Sequence, residues 1–319
     1  MSIKIKGQNS YIQTGRINMS PAANSSYSVG FSSAGTYVVP VPPGYTKAKL
    51  VCVGGGGNGA TGLSSNSTSG GGGAGGGCAA KDIHDLSTHR FFTITIGAVP
   101  TATSGDGVNG SNGANTTITG NGIYMIAYGG QGGRAPGNGT TATGGTASGG
   151  DTNYTGGSGG AANGSTYASG GGGAAGPTGN GGNGSTGDGS YSPTSGQSGT
   201  GSGGGGGTGF GGGVSASGGS GSGGGGVNQA GGTCSGSTNP NQNPGGYAGG
   251  DPIFIPPSRN GGNMHNNVSP LANGGIGAPR HPNGSHTGNG GTGGGGGGGA
   301  TNSQGGNGGI GTAAIMWIR

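Results

Sequence analysis

Glycine fills 98 of the 319 positions of this chain and is concentrated between a few short apolar stretches. Because glycine loses more backbone freedom on folding than any other residue, a glycine tract stays flexible unless something holds it. The chain contains no Glu, and no window repeats apolar residues with the 3.6-residue period of an amphipathic helix. The sequence therefore predicts essentially no α-helix and a fold built from β-strands and glycine.

Stretches rich in β-branched and aromatic residues are predicted to be strands. There are five of them, at 36–41, 47–53, 91–96, 123–128 and 313–318. The last one would be an aggregation-prone edge if it were unpaired, so we expect it to pair with the early strands in one small sheet or sandwich. Within them, Cys52 is expected to be a small buried hydrophobe. The strand residues predicted to be structural are Tyr37, Leu50, Phe92, Ile94, Met125, Ile315 and Trp317.

Glycine recurs at every third position in patches such as 170–182 and 288–297. A period of three fits the polyproline-II helix, which satisfies none of its own backbone hydrogen bonds. Where glycine lines the edge, two such backbones can touch and bond to each other. The triplets and the apolar C-terminal strand favour an ordered bundle of polyglycine-II helices, and the alternative is a flexible linker.

Charged side chains are scarce, with 11 Lys or Arg and 6 Asp. No basic run interleaves with aromatic residues, which argues against a nucleic-acid partner. At this glycine frequency, matches to G-x-G-x-x-G arise by chance, and no Gly-Lys-Ser or Gly-Lys-Thr is present. Asp82 and Asp85 are the only carboxylates close in sequence. The sequence thus predicts no enzyme and no cofactor.

Two groups of histidines raise a metal-site hypothesis. His84 and His89 flank Asp85, but a polar loop leading into the strand at 91–96 explains them better because no ligand cluster accompanies them. The second group shares one segment without a nearby Cys or carboxylate pair, and consists of His265, His281 and His286. We therefore predict no metal site.

Segments of a different character separate the glycine patches and are predicted to be turns between glycine struts. They are 60–69, 79–90, 134–143, 151–155, 185–200, 227–244 and 247–286. Exposed aromatic and Arg side chains on loops are typical of interaction surfaces. For the segment at 253–255, one more core strand is the alternative interpretation. The candidate binding residues are Tyr154, Tyr167, Tyr191, Tyr247, Phe254, Arg259, Met264, His265, Arg280, His281 and His286.

Several strand motifs resemble a known family. GTYVVPVPPG at 35–44, followed by the strand at 47–53 and by GGGG, resembles the opening of the glycine-rich domain of bacteriophage tail proteins. FTITIG at 92–97, NTTI at 115–118 and AIMW at 314–317 are similar to later strands of that domain. Within this group, the chain is most similar to the polyglycine-II tail-fibre tip adhesins of T-even-like phages.

The resemblance implies a virion protein, made in the host cytoplasm, whose loops bind a bacterial outer-membrane protein or surface glycan. It also implies a tail-fibre or tail-tip protein as a second partner, and leaves open a homotrimer or a monomer on a trimeric fibre. Alternatives from other classes are a structural tail or capsid decoration protein and an ice-binding polyglycine-II protein. The candidate residues for attachment to the fibre are Ile3, Ile5, Tyr11 and Ile12.

The chain is accordingly predicted to have four parts. Residues 1–33 would be an N-terminal attachment segment, and residues 34–128 a β-strand base with a first glycine-rich insert. Residues 129–311 would form the polyglycine-II bundle with its variable loops, and residues 312–319 would close the base.

Overall fold

The computed structural model describes residues 27–65, 68–101, 103–137, 139–162, 169–177, 179–184, 186, 289–290, 293–299 and 304–319. These residues form two five-stranded antiparallel sheets and contain no helix, which confirms the predicted β-rich, non-helical class for this part of the chain. It follows that no helix in these ranges could cross a membrane. The strands are β1 Tyr27–Phe31, β2 Gly35–Pro40, β3 Lys47–Val53, β4 Cys78–Ile83, β5 Phe91–Ile96, β6 Thr116–Gly120, β7 Ile123–Ala127, β8 Ala147–Ser148, β9 Thr152–Tyr154 and β10 Thr312–Ile318.

The first sheet, with the order β1-β10-β3-β4-β9, is built around the C-terminal strand. One edge of β10 pairs with β3, where Ile315 lies opposite Leu50, and the other edge pairs with β1, where Ile315 lies opposite Val29. The prediction that the C-terminal strand pairs with early strands is therefore confirmed. Because both of its edges are hydrogen-bonded, the apolar run is not a free edge.

The second sheet has the order β2-β5-β6-β7-β8. Its central hairpin, β6–β7, turns through Asn121 and Gly122, which have φ angles of 37° and 82°. An Asn-Gly pair with both φ angles positive is the preferred two-residue hairpin turn, because its twist matches that of the flanking strands. The turn thus fixes the register in which Ile118 lies opposite Met125.

The hydrophobic core lies between the two sheets, where alternate residues of each strand meet. Leu50 and Ile315 from the first sheet and Ile94 and Met125 from the second are fully buried there. Trp317 packs tilted on Phe92, with 6.0 Å between the ring centroids, and Tyr37 contacts the same cluster while half-buried. All seven residues that the sequence analysis named as structural lie in these strands.

Two stretches that were predicted to be turns contain strands instead. Residues 79–90 hold most of β4, which lies inside the first sheet between β3 and β9, and residues 151–155 hold β9 at its edge. The sequence of β4, CAAKDI, has only one β-branched residue, so its strand propensity is low. Six residues of β4 pair with β3, and tertiary pairing of this kind overrides local propensity.

The two described cysteines are buried, in neighbouring strands, and are not disulfide-bonded. Cys52 faces the core between the sheets, whereas Cys78 lies on the opposite face of the first sheet. Removal from water disfavours the thiolate and raises the pKa of Cys52 to about 12. The prediction that Cys52 is a small buried hydrophobe is confirmed.

We expect the Cys52 thiol to be unreactive in the folded protein. The thiolate is the nucleophile, so at about pH 8 a thiol with so high a pKa and no solvent access reacts only when the protein unfolds. The measurement is the rate of labelling by a thiol reagent in a Cys234→Ser background, with the modified peptide identified by mass spectrometry. Labelling in denaturant is the positive control, and rapid native labelling of Cys52 would contradict the prediction.

Candidate functional site

Ten glycine-rich segments of the described chain lie outside the strands, and together we call them the glycine-rich layer. The segments are s1 (54–62), s2 (69–77), s3 (108–115), s4 (128–135), s5 (142–146), s6 (155–162), s7 (169–176), s8 (179–184), s9 (293–299) and s10 (304–311). Backbone hydrogen bonds join these segments to one another. The glycine-rich chain that the structure describes is therefore not unpaired coil.

The hydrogen bonds within the layer change direction from one residue to the next. In s1, the N–H of Gly54 donates to s2, that of Gly55 to s3 and that of Gly56 to s10, with distances of 2.8–2.9 Å. The next three residues repeat the same three directions in the same order. A segment with this pattern bonds to several neighbours at once, whereas a β-strand bonds to two at most.

Glycine is required in the layer because neighbouring backbones lie where a side chain would begin. A Cβ on Gly56 would lie 1.8 Å from the carbonyl oxygen of Gly294, and one on Gly57 would lie 2.1 Å from that of Gln131. Both distances are far shorter than any stable contact between heavy atoms. Close packing of backbone on backbone therefore explains the glycine content of these segments.

Asparagine side chains accept backbone N–H groups along the layer at intervals of three residues. In s3, the Oδ1 atoms of Asn109, Asn112 and Asn115 accept from three residues of s4, at 2.7, 2.9 and 3.0 Å. In s8, Asn180 and Asn183 do the same for s6. The sequence analysis missed these residues, although their signal is visible as asparagine at every third position, in NGSNGAN and NGGN.

The end of the layer next to the sheets is its proximal end, where Gly54 follows β3 and bonds to Gly77, just before β4. The opposite end is the distal end. Backbone hydrogen bonds of 2.8–3.0 Å bring the outer ends of six segments together there, through the pairs Ala60–Gly71, Thr61–Val108, Gly71–Arg134, Gly72–Gly160 and Gly70–Gly299. The described residues between s1 and s2 and between s4 and s5 therefore lie at the distal end, and the described parts of s6 and s9 also end there.

The described chain before residue 187 ends near the distal end. Thr186 accepts the N–H of Ala161 near the distal end of s6, at 3.4 Å. The described chain resumes at Asn289, whose Oδ1 accepts the N–H of Asn307 at 2.9 Å, and it runs from there toward the proximal end. Residues 187–288 themselves lie outside the described residues.

The described distal turns are held by their own polar contacts. Asp106 accepts from the backbone N–H and the hydroxyl of Ser64, at 2.7 and 2.6 Å, and so ties two turns together. Arg134 donates to the side chain of Gln131 at 2.9 Å. Leu63 and Thr68 bridge across the turn between s1 and s2. These turns are thus ordered surfaces that carry little net charge.

The described N-terminal chain begins at the sandwich pole, which is our name for the end of the β-sandwich that is remote from the glycine-rich layer. Tyr27 lies opposite Trp317, near the end of β10 that is remote from s10, while Phe31 lies opposite Ala313, close to the layer. β1 therefore begins at the end of the sandwich that is remote from the layer, and the distal turns lie at the far end of the layer. Residues 27–31 belong to the predicted attachment segment, and they form a strand of the first sheet.

Charged groups near the sandwich pole are paired or solvated. Lys81 donates to Asp151 at 2.7 Å, and this bond, with the N–H of Asp82, lowers the pKa of the Asp151 carboxyl. The N–H and hydroxyl of Ser87 likewise lower the pKa of Asp85. Within the described ranges, no three His, Cys, Asp or Glu side chains stand close enough to hold a metal ion.

Only one of the candidate binding residues falls in the described chain. Tyr154 is not on a loop as predicted but in β9, opposite Cys78 and half-buried against the outer apolar cluster of the first sheet. Its strand pairing with β4 explains the difference. Outside the described residues lie the attachment candidates Ile3, Ile5, Tyr11 and Ile12 and the binding candidates Tyr167, Tyr191, Tyr247, Phe254, Arg259, Met264, His265, Arg280, His281 and His286.

Comparison with known proteins identifies the class of this chain. The family model of the glycine-rich domain matches residues 32–263. The chain therefore belongs to this glycine-rich domain family. No curated protein matches the sequence.

Proposed function

We propose that this protein is a non-enzymatic receptor-binding adhesin at the tip of a bacteriophage tail or tail fibre. The observation that carries the proposal is the gathering of segment ends and described turns at the distal end of the glycine-rich layer. Membership of the glycine-rich domain family is compatible with the proposal, and the resemblance of the strand motifs at 35–44, 92–97 and 314–317 to those of phage tail proteins supports it. The receptor would be an outer-membrane protein or a surface glycan of the bacterial host.

The glycine-rich segments are, in this proposal, polyglycine-II helices. Such a helix has three residues per turn, so successive N–H groups point in three directions and the fourth repeats the first. The hydrogen bonds of s1 follow that order, and glycine at the contact positions lets the backbones approach. A bundle of this kind is rigid without a large apolar core.

A rigid layer suits an adhesin because the sequence of its end loops can vary while the scaffold stays the same. Loops whose bases are already fixed also lose less entropy when a receptor binds. The candidate residues between 187 and 288 would contact the receptor, since the described chain before that stretch ends near the distal end, at Thr186.

The opposite pole would face the phage particle. β1 begins at the end of the sandwich that is remote from the distal turns. We propose that residues 1–26, with Ile3, Ile5, Tyr11 and Ile12, dock to the tail-fibre or tail-tip protein. The receptor-binding end would then point away from the particle.

The test is an exchange of residues 247–286 for the equivalent segment of a relative with another host. Adsorption to the original host is expected to fall by about tenfold or more, as loss of a binding hot spot does, and the host range should follow the donor. His84→Ala, in the exposed β4–β5 turn at the sandwich pole, is the control and should leave adsorption unchanged. Unchanged adsorption and host range after the exchange would refute the proposal.

A structural decoration protein makes a different prediction in a simpler experiment. Purified adhesin should bind intact host cells and compete with phage adsorption, whereas a decoration protein should do neither. Failure of the purified protein to bind cells would favour the decoration role.

A further inference from the structure

The outward face of the second sheet carries an array of threonines, which we call the threonine face. Residues of β2, β5 and β6 that alternate with the buried core residues must point to this side. Thr36, Thr95 and Thr117 lie side by side in one row, and the Thr36 and Thr95 hydroxyls are 3.3 Å apart. Thr93 and Thr119 are neighbours in the next row.

Apolar and aromatic side chains surround this array. Val38 stands beside Thr93 on the β2 side and is 57% exposed, and Tyr124 stands beside Thr119 on the β7 side and is 61% exposed. Phe91, two residues before Thr93 on β5, is 50% exposed. The two aromatic residues are separated by two strand spacings, about 10 Å across the sheet. Threonine hydroxyls therefore lie between two exposed rings on one surface.

No charged residue points outward from any strand of the second sheet, whose sequences contain none. The outward side of the first sheet differs. It carries Lys47, Lys49 and Asp82, and its remaining part is covered by Ala174 and Ala175 of the glycine-rich layer. The threonine face is thus the uncharged face of the described sandwich, and it is exposed at Val38, Phe91 and Tyr124, whereas Ile126, beside Thr117 on β7, is buried.

We propose that the threonine face binds an uncharged glycan chain. Sugar rings offer apolar C–H faces that stack on aromatic rings, and hydroxyl groups that exchange hydrogen bonds with other hydroxyls. A chain that crosses β5 to β7 would stack on Phe91 and Tyr124 and bond to Thr93 and Thr119 between them. This site is separate from the distal turns and does not depend on what they bind.

The chemistry of the face disfavours other partners. Nucleic acids and acidic lipids are bound through Lys and Arg, which the face lacks. A protein partner favours an apolar centre inside a polar rim. The threonine face has the reverse arrangement, because its hydroxyls are central and Val38 and Tyr124 flank them. A neutral polyhydroxylated chain matches that distribution of groups.

The full chain should therefore be probed on an array of neutral and acidic bacterial polysaccharides. We expect binding to neutral polysaccharides that changes little with salt, since no charge is involved. Tyr124→Ala should weaken it by about tenfold or more, as truncation of an aromatic hot-spot residue does, and Tyr124→Phe should retain most of it. Because Tyr124 is exposed, neither variant should alter thermal unfolding.

Matched variants separate this site from the distal turns. Val99→Ala removes an exposed apolar side chain from the loop after β5 and should not affect glycan binding. The variant with residues 247–286 exchanged should still bind the same polysaccharide. The proposal is overturned if no neutral polysaccharide binds, if Tyr124→Ala binds as well as the parent, or if only the loop exchange abolishes binding. If no glycan binds, and sedimentation shows that Tyr124→Ala dissociates an oligomer, the threonine face is instead a contact between copies of this chain.

Discussion

Gly56→Ala is expected to destabilise the protein by about 3 kcal/mol or more, the upper range for overpacking a filled interior. The added methyl carbon would lie 1.8 Å from the carbonyl oxygen of Gly294 and 2.3 Å from its carbonyl carbon. Both atoms belong to backbone, so no rotamer change can relieve the clash and s1 must move away from s9. The free energy of unfolding in urea, followed by tryptophan fluorescence, measures the effect.

Two other glycines provide matched controls. A Cβ on Gly55, next in the same segment, would have its nearest neighbours at 3.2 Å, so a small shift accommodates it. A Cβ on Gly30 in β1 would meet nothing within 4 Å. We expect Gly55→Ala to cost clearly less than Gly56→Ala, and Gly30→Ala to be neutral or slightly stabilising because it restricts the unfolded chain. Equal stability of all three variants would mean that the layer does not depend on backbone contact.

The strands that sequence reasoning found are those whose side chains fit a half-buried pleated surface. β5 alternates apolar and polar residues from Phe92 onward, β3 alternates them at its start before a buried apolar run, and the bounds of both match the predicted 47–53 and 91–96. β4 and β9 were missed because CAAKDI and TNY have weak strand signals. Their strands form because β3 offers β4 a partner and β4 in turn offers one to β9. This pairing joins residues that are far apart in sequence, so it cannot be predicted from the composition of each segment alone.

The period of three in glycine was visible in the sequence, but the path of the chain was not. Glycine occupies every third position from 170 to 182 without interruption. The chain nevertheless reverses its direction within this range, because Gly176 and Gly179 pair with each other in an antiparallel bridge. Each segment needs glycine where another backbone contacts it. Two antiparallel segments can therefore continue the same three-residue glycine spacing by chance, and the spacing does not reveal the turn between them. The direction in which each segment runs is set by its hydrogen-bond partners, which lie far away in the sequence.

The candidate site shows the same division between local and long-range information. The loops were recognisable from their composition. The arrangement that brings the outer ends of s1, s2, s4, s6 and s9 together depends on the backbone hydrogen bonds between these segments. Tyr154 was grouped with the loops because it lies between glycine patches, and only pairing with β4 reveals its place in a strand. The threonine face was likewise invisible until cross-strand register set Thr36 beside Thr95 and Thr117.

Trp317→Ala is expected to destabilise the protein by about 3–5 kcal/mol, the range for truncating a large buried aromatic residue. Trp317 is fully buried between the sheets and packs on Phe92. It also lies in β10, which holds β1 and β3 together, so the cavity would weaken the centre of the first sheet. Because this variant has no tryptophan, its unfolding in urea is followed by circular dichroism, with the parent measured in the same way.

Trp317→Phe separates the loss of packing from the loss of the indole N–H. The indole nitrogen is buried and has no hydrogen-bond partner among the described residues, so removing it relieves a desolvated donor. Phenylalanine also keeps most of the buried ring, and this variant should therefore cost less than about half as much as alanine. Met316→Ala, one residue away on the opposite face, should have a smaller effect still, because Met316 is only partly buried. If Trp317→Ala proved no more damaging than Met316→Ala, the C-terminal strand would not be the central support of the sandwich.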